Sequence, residues 1–179
     1  MKGLVFAMVE DVVSSQFSES MWDSVVREAG VGGAYASLGT YDDDELLRIV
    51  SAVCAQAALS FDDVLRFVGT HGFAFLAQRV PEFMEQMAGW TDVLMGVEDI
   101  VHTEVRNLYP GAVLPGFEVT LEPGGVRMHY TSERSMCAMA EGLAIGAGMW
   151  FGRELAVEHV SCLQNGDQGC VLFVREAAA

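Results

Sequence analysis

The chain has 179 residues, 25 of them acidic against 10 basic, and a formal net charge of −15; this length fits one domain, residues 1–179, with a substantial buried core. Such an acidic excess argues against nucleic acid, whose binding relies on releasing counterions from phosphate to Lys and Arg, and against an anionic membrane surface for the same reason. A mean hydropathy of +0.29, with ten methionines, ten phenylalanines and three tryptophans, is high for so acidic a chain and points to an apolar cavity or partner face.

No stretch accounts for that apolarity as a membrane span. The longest candidate, 142–152, is glycine-rich and about half of the ~20 residues required. The apolar opening is interrupted by Glu10 and Asp11, too early for a secretory signal, so a cytoplasmic protein is expected. Four cysteines in that setting argue for metal or redox duty before structural disulfides.

The first two-thirds read as helices. Ser20 with Asp23, and Ser60 with Asp63, match the capping-box pattern, and Gly30 supplies a C-terminal stop. The run Asp42-Asp43-Asp44-Glu45 places acid at the positive end of the next helix; it lacks the glycine and twelfth-position glutamate of a calcium loop. Cys54 falls in the helical run 46–59 as a small buried hydrophobe. A helix from Phe61 to about Arg79 ends before Pro81. Another spans roughly Met87 to Leu108, with Val93, Val97, Val101, Val105 and Leu108 on its apolar stripe, and stops before Pro110. Beyond it, 117–121 and 126–130 read as strands around a turn at 122–125. A helix from Ser135 to Leu155 follows, and 157–163 with 170–175 form a second hairpin around 164–169. The fold class is therefore α+β, with a helical N-terminal subdomain packed on a C-terminal antiparallel sheet.

Two groups of residues carry chemistry. Tyr130, Ser132 and Arg134 recur at every second position, so an extended backbone would project two hydroxyls and a guanidinium fork from one face, suited to a ligand with two carboxylates. Twenty-eight residues before Tyr130, His102 stands beside an apolar helical stripe with Glu98 and Arg106 one turn away on either side. Taken alone, an imidazole there is a partly exposed helix residue; His71, before Gly72, is its rival as a ligating imidazole. The second group is Cys137, His159, Cys162 and Cys170, a Cys₃His set able to close a tetrahedral shell. A hairpin centred on Gly166 places Cys162 opposite Cys170. Strict alternation would put His159 and Cys162 on opposite faces, so a bulge or strand end is expected between them. Cys137 would reach across from its helix along the small edge Ala140, Ala144 and Gly148.

The Y-x-S-x-R string with its upstream histidine resembles the haem nitric oxide/oxygen binding (H-NOX) domain. The resemblance extends along the chain, from the Met-Lys-Gly start through Tyr41-Asp42-Asp43-Asp44-Glu45, Pro81 and His102 to Leu114-Pro115. It implies haem b buried between the two subdomains, with His102 as the ligand to iron, and Tyr130, Ser132 and Arg134 on the propionates. Pro115 matches the proline that presses on the macrocycle. Oxygen-binding members carry a tyrosine five residues beyond the motif arginine; this chain has Met139 there, which implies selection for nitric oxide, with carbon monoxide also binding, and against oxygen. The cysteine-histidine set resembles the zinc site (Zn2+) of a bacterial stand-alone subset. By the same resemblance the protein is a non-enzymatic sensor that regulates a histidine kinase or a diguanylate cyclase or phosphodiesterase in trans.

The competing readings are a zinc hydrolase, a haem peroxidase, a redox sensor acting through the cysteines, and a cofactor-free interaction module. A catalytic zinc keeps one position open, whereas this set fills four, and no H-E-x-x-H pattern is present.

Overall fold

A computed structural model of the chain describes residues 1–109 and 111–178. Pro110, expected to close a helix, lies outside them. Helices α1 (Gly3–Gln16), α2 (Glu19–Ala29), α3 (Asp43–Ala57) and α4 (Phe61–Ala77) form the first part. Their ends follow from local chemistry. The hydroxyl of Ser60 accepts the Asp63 N–H at 3.1 Å and donates to its carboxylate at 2.6 Å, satisfying a helix donor that would otherwise lack a partner. Asp42 caps α3 by accepting the Asp44 N–H at 3.1 Å. The cap of α2 is Ser18, not Ser20: Ser18 Oγ accepts the Met21 N–H at 3.1 Å, and Ser20 spends its hydroxyl on Ser18 at 2.9 Å. Gly30 ends that helix at φ 64°, a conformation that glycine adopts without steric cost.

The predicted single helix from Met87 to Leu108 is three pieces: α6 (Trp90–Gly96), a π-helical segment (Val97–His102) and α7 (Thr103–Leu108), after the short α5 (Pro81–Met84). From Val93 to Val105 the apolar stripe repeats every fourth residue, which runs ahead of a 3.6-residue turn. The wider i→i+5 winding accommodates that spacing, and Val93, Val97, Val101 and His102 all reach the wall of one cavity.

Strands β1 (Gly116–Glu122), β2 (Gly125–Thr131), β3 (Leu155–Ser161) and β4 (Cys170–Glu176) make a four-stranded antiparallel sheet in the order β1-β2-β4-β3. Both predicted hairpins are present. Between them α8 (Cys137–Trp150) is shorter at both ends than the expected 135–155. Ser135 sits at φ 51°, which holds the chain in a turn until Cys137, and Gly152 at φ 67° turns it into β3.

Two apolar cores result. One joins α1, α2, α3 and α4 through Phe6, Val25, Ile49 and Leu65, and takes Ala138 and Met139 from α8. The other joins α6, the sheet and the opposite side of α8, where Cys137, Ala140, Ala144 and Ala147 recur at three- and four-residue steps. Cys54 is half-buried against the first core, less enclosed than expected. Helices α4 and α8 belong to both cores and cross closely: a Cβ at Gly69 would lie 2.5 Å from the Met139 carbonyl oxygen. Among the described residues, no helix is long and apolar enough to cross a membrane.

Candidate functional site

A cavity of about 300 Å³ lies where the two cores meet, a size typical of small-molecule and cofactor sites. Its wall is overwhelmingly apolar, from Phe73, Leu76, Val97, Leu114, Met128 and Leu143 among others, and Pro115 and Met139 both contribute. Polar side chains enter at five places: Lys2, His102, Tyr130, Ser132 and Arg134. Among the described residues, His102 is the one histidine in the wall. His71 is not part of it; its ring packs 4.3 Å from that of Phe67.

The imidazole of His102 is held from behind. Its Nδ1 lies 3.0 Å from Glu98 Oε2. The same carboxylate accepts the Phe117 N–H at 3.1 Å and a hydrogen bond from Arg106. Burial would raise the Glu98 pKa, but the bonds from Arg106, His102 and the Phe117 N–H outweigh it and hold the carboxyl below its ordinary range. An ionised carboxylate can only accept, so Nδ1 donates to Glu98, and Nε2 has no hydrogen-bond partner among the described residues. The Phe117 ring stands 5.7 Å from His102 and 5.4 Å from Tyr130, so three elements meet here.

Tyr130, Ser132 and Arg134 do converge on the cavity, though not by strand alternation. The strand ends at Thr131, and 132–135 form a turn in which Ser132 Oγ accepts the Arg134 N–H at 3.2 Å. Tyr130 is buried, which raises its pKa, and its hydroxyl accepts the Met136 N–H at 3.1 Å. Arg134 donates from Nε to Asp43 at 2.6 Å and from Nη1 to the Val113 carbonyl at 3.0 Å. Asp43, from the first turn of α3, is also met by the Met1 ammonium at 2.5 Å. Among the described residues Tyr130 is the one phenol in the wall.

The cysteines form the second cluster. Cys137, Cys162 and Cys170 are buried with their sulfurs within 4.8 Å of one another. Cys162 Sγ is 3.5 Å from that of Cys137 and 3.8 Å from that of Cys170. Thiolates at ~2.3 Å from a tetrahedral ion lie about 3.8 Å apart, so this spacing suits zinc. The register explains it. Ser161 pairs with Val171, and a shift between His159 and Ser161 leaves Val160 as the bulge, so His159 and Cys162 share a face as expected. The Leu163 N–H donates to Cys170 Sγ at 3.4 Å. Burial pushes the Cys137 thiol up. At Cys162 burial is outweighed by hydrogen bonds from the Gln164 N–H, His159 and the neighbouring thiols, and its pKa falls.

His159 is outside the group of three sulfurs that could share one ion, although it bears on Cys162. Its Nε2 lies 2.8 Å from Glu141 Oε2, whose other oxygen accepts from Arg66 Nε at 2.7 Å. Glu141 is the one buried charged residue among those described. Neither Glu141 nor the role of Glu98 was anticipated. A lone acid inside the small, apolar helix 137–150 and a glutamate four residues before His102 were the available signals.

The family model described as haem-NO-binding matches residues 2–159. This chain belongs to the H-NOX family. An H-NOX protein from Shewanella oneidensis in the Fe(II) state, a triple mutant, is 30% identical with a TM-score of 0.92, over 99% of this chain and 97% of that one. The S. oneidensis protein in the Fe(II)NO state is 30% identical with a TM-score of 0.91, over 99% and 100%. The Fe(II) unliganded H-NOX protein from K. algicida is 26% identical with a TM-score of 0.82, over 100% and 98%. No curated protein matches. In this H-NOX chain the cavity fits the family's cofactor: one imidazole with an unengaged nitrogen, an apolar wall, and hydroxyl and guanidinium groups in its lining.

Proposed function

We propose that this chain is a haem-based nitric oxide sensor that regulates a signalling partner, a histidine kinase or a cyclic-di-GMP enzyme, in trans. The observation that carries the reading is His102, alone among the described histidines in the wall of an apolar cavity, with Nδ1 engaged and Nε2 free. His102 would hold the iron, and Tyr130, Ser132 and Arg134 the propionates. Arg134 is anchored to Asp43 and Val113, so it meets a carboxylate pre-oriented. Haem supplies a ferrous site for a diatomic gas. The wall lacks a phenol besides Tyr130, and Met139 offers no N–H or O–H donor, which disfavours oxygen and leaves nitric oxide and carbon monoxide as ligands. The three thiols, with His159 turning toward them, would hold a structural zinc; oxidation of those thiols is the second reading, favoured by their 3.5 Å approach.

Absorption spectroscopy tests the proposal. Purified protein should show a Soret band, spectral shifts with nitric oxide and carbon monoxide, and no stable spectrum of an oxygen complex in air. His102→Gly should purify haem-poor and recover pigment with free imidazole, whereas His71→Ala should behave as wild type. A colourless wild-type protein that takes up no added haem would refute the reading.

A further inference from the structure

Glu98 is tied to three groups at once: Oε2 accepts from His102 Nδ1 at 3.0 Å and from the Phe117 backbone N–H at 3.1 Å, while Oε1 accepts from Arg106. We infer that Glu98 is the positioning residue of His102, fixing Nε2 as the nitrogen that faces the cavity and setting its donor strength, and that Arg106 acts on the same carboxylate in the opposite sense. The inference rests on the reading of His102 as the iron ligand and extends it from the ligand to the pair that tunes it.

The physical grounds are acid–base. A carboxylate that accepts the Nδ1 proton pulls it away from the ring, and the ring becomes a stronger donor at its other nitrogen. A guanidinium on the same carboxylate draws electron density the other way and weakens that pull. The two effects meet on one side chain because Glu98, His102 and Arg106 follow at four-residue steps through the π-helical segment into α7. Phe117 adds direction. Its N–H fixes Oε2 against the start of β1, and its ring stands 5.7 Å from the imidazole, so Glu98 is located by the sheet as well as by its own helix. An ordinary helix-face ion pair would have no reason to engage a strand backbone. The wide winding of the segment is also consistent with a functional site, where π-type turns concentrate.

Glu98→Gln keeps the shape and loses the charge; Arg106→Gln removes the opposing charge. Both are compared with wild type and His102→Gly in haem-loaded ferrous protein, reading the iron–histidine stretch by resonance Raman and haem transfer to apomyoglobin. Glu98→Gln should lower the stretching frequency and weaken haem retention by roughly ten- to a hundred-fold. Arg106→Gln should raise the frequency. A purely structural pair would move both variants in the same direction or neither, and either result overturns the inference while the band remains in wild type and is absent from His102→Gly. If Glu98→Gln fails to retain haem, Arg106→Gln alone decides: a raised frequency supports the inference and an unchanged or lowered one overturns it. Absence of the band from wild type would refute the role of His102 itself, and the inference with it.

Discussion

Asp43 shows how one side chain joins distant parts of this molecule. It belongs to the first turn of α3, yet its carboxylate is held by Arg134, ninety-one residues away, and by the Met1 ammonium. Burial would raise its pKa, but those two cations prevail and the value falls below the ordinary carboxylate range. The sign of the pH dependence follows. A carboxyl with a depressed folded pKa contributes stability above its unfolded value near ~4 and loses it as pH falls through the folded value. Asp43→Asn should therefore destabilise the protein at neutral pH and make stability less sensitive to acid. Denaturant midpoints followed by circular dichroism from neutral pH into the acid range would measure both; parallel curves for variant and wild type would show that the pair adds nothing. With half its guanidinium already engaged, Arg134 also explains why a turn rather than a strand carries the last part of the Y-x-S-x-R string. In that turn Ser132 Oγ accepts the Arg134 N–H, and the guanidinium reaches Asp43 on α3.

At the scale of elements, the crossing of α4 and α8 decides whether the cavity keeps its shape. A Cβ on Gly142 would collide with the backbone oxygen of Arg66 on α4, and one on Gly146 would come within 2.5 Å of Phe73 Cβ. Helix propensity alone predicts that Gly142→Ala gains about 1 kcal/mol, whereas overpacking against backbone costs about 1–3 kcal/mol. The second effect should win, and thermal unfolding should show a lowered midpoint; a stabilised variant would mean that the helices part without cost. Such a crossing was only partly legible beforehand. Capping at Ser60, the acidic entry to α3, both hairpins and the bulge at Val160 follow from residue-level chemistry within a few positions of sequence. The break at Val97 does not, because the valine row is equally compatible with an unbroken helix. Only the cavity, formed with residues far along the chain, makes the wider winding useful. Ser20 misleads for a similar reason: Ser18 and Ser20 have the same chemistry, and it is the Ser18 hydroxyl that accepts the Met21 N–H.

Across the whole molecule, the two cores share α4 and α8; the cavity lies where those cores meet, and the cysteine cluster belongs to the sheet-side one. Loss of the cysteine site should therefore be felt mainly in the sheet-side core, which holds Cys137, Cys162 and Cys170 together with Leu172 and Val174. Structural zinc stabilises a fold because the ligands come together only in the folded chain. Metal analysis should return one zinc per chain, and Cys170→Ala should abolish it. Hydrogen exchange should then accelerate in β3, β4 and the 163–169 loop, while α1, α2 and α3, whose core draws on no cysteine ligand, keep their protection. His159→Ala separates the fourth group from the other three. Its imidazole stands beside Glu141 instead of among the sulfurs, so the variant should bind zinc more weakly yet retain the site, with partial loss in a chelator competition where Cys170→Ala shows complete loss. Equal loss in the two variants would place His159 on a par with the thiolates and require its ring to leave Glu141. Unchanged metal content in both would reduce the cluster to three packed thiols. In either case the Arg66–Glu141 contact matters, because among the described residues it is the one charged link from α4 through α8 to the strand that carries His159.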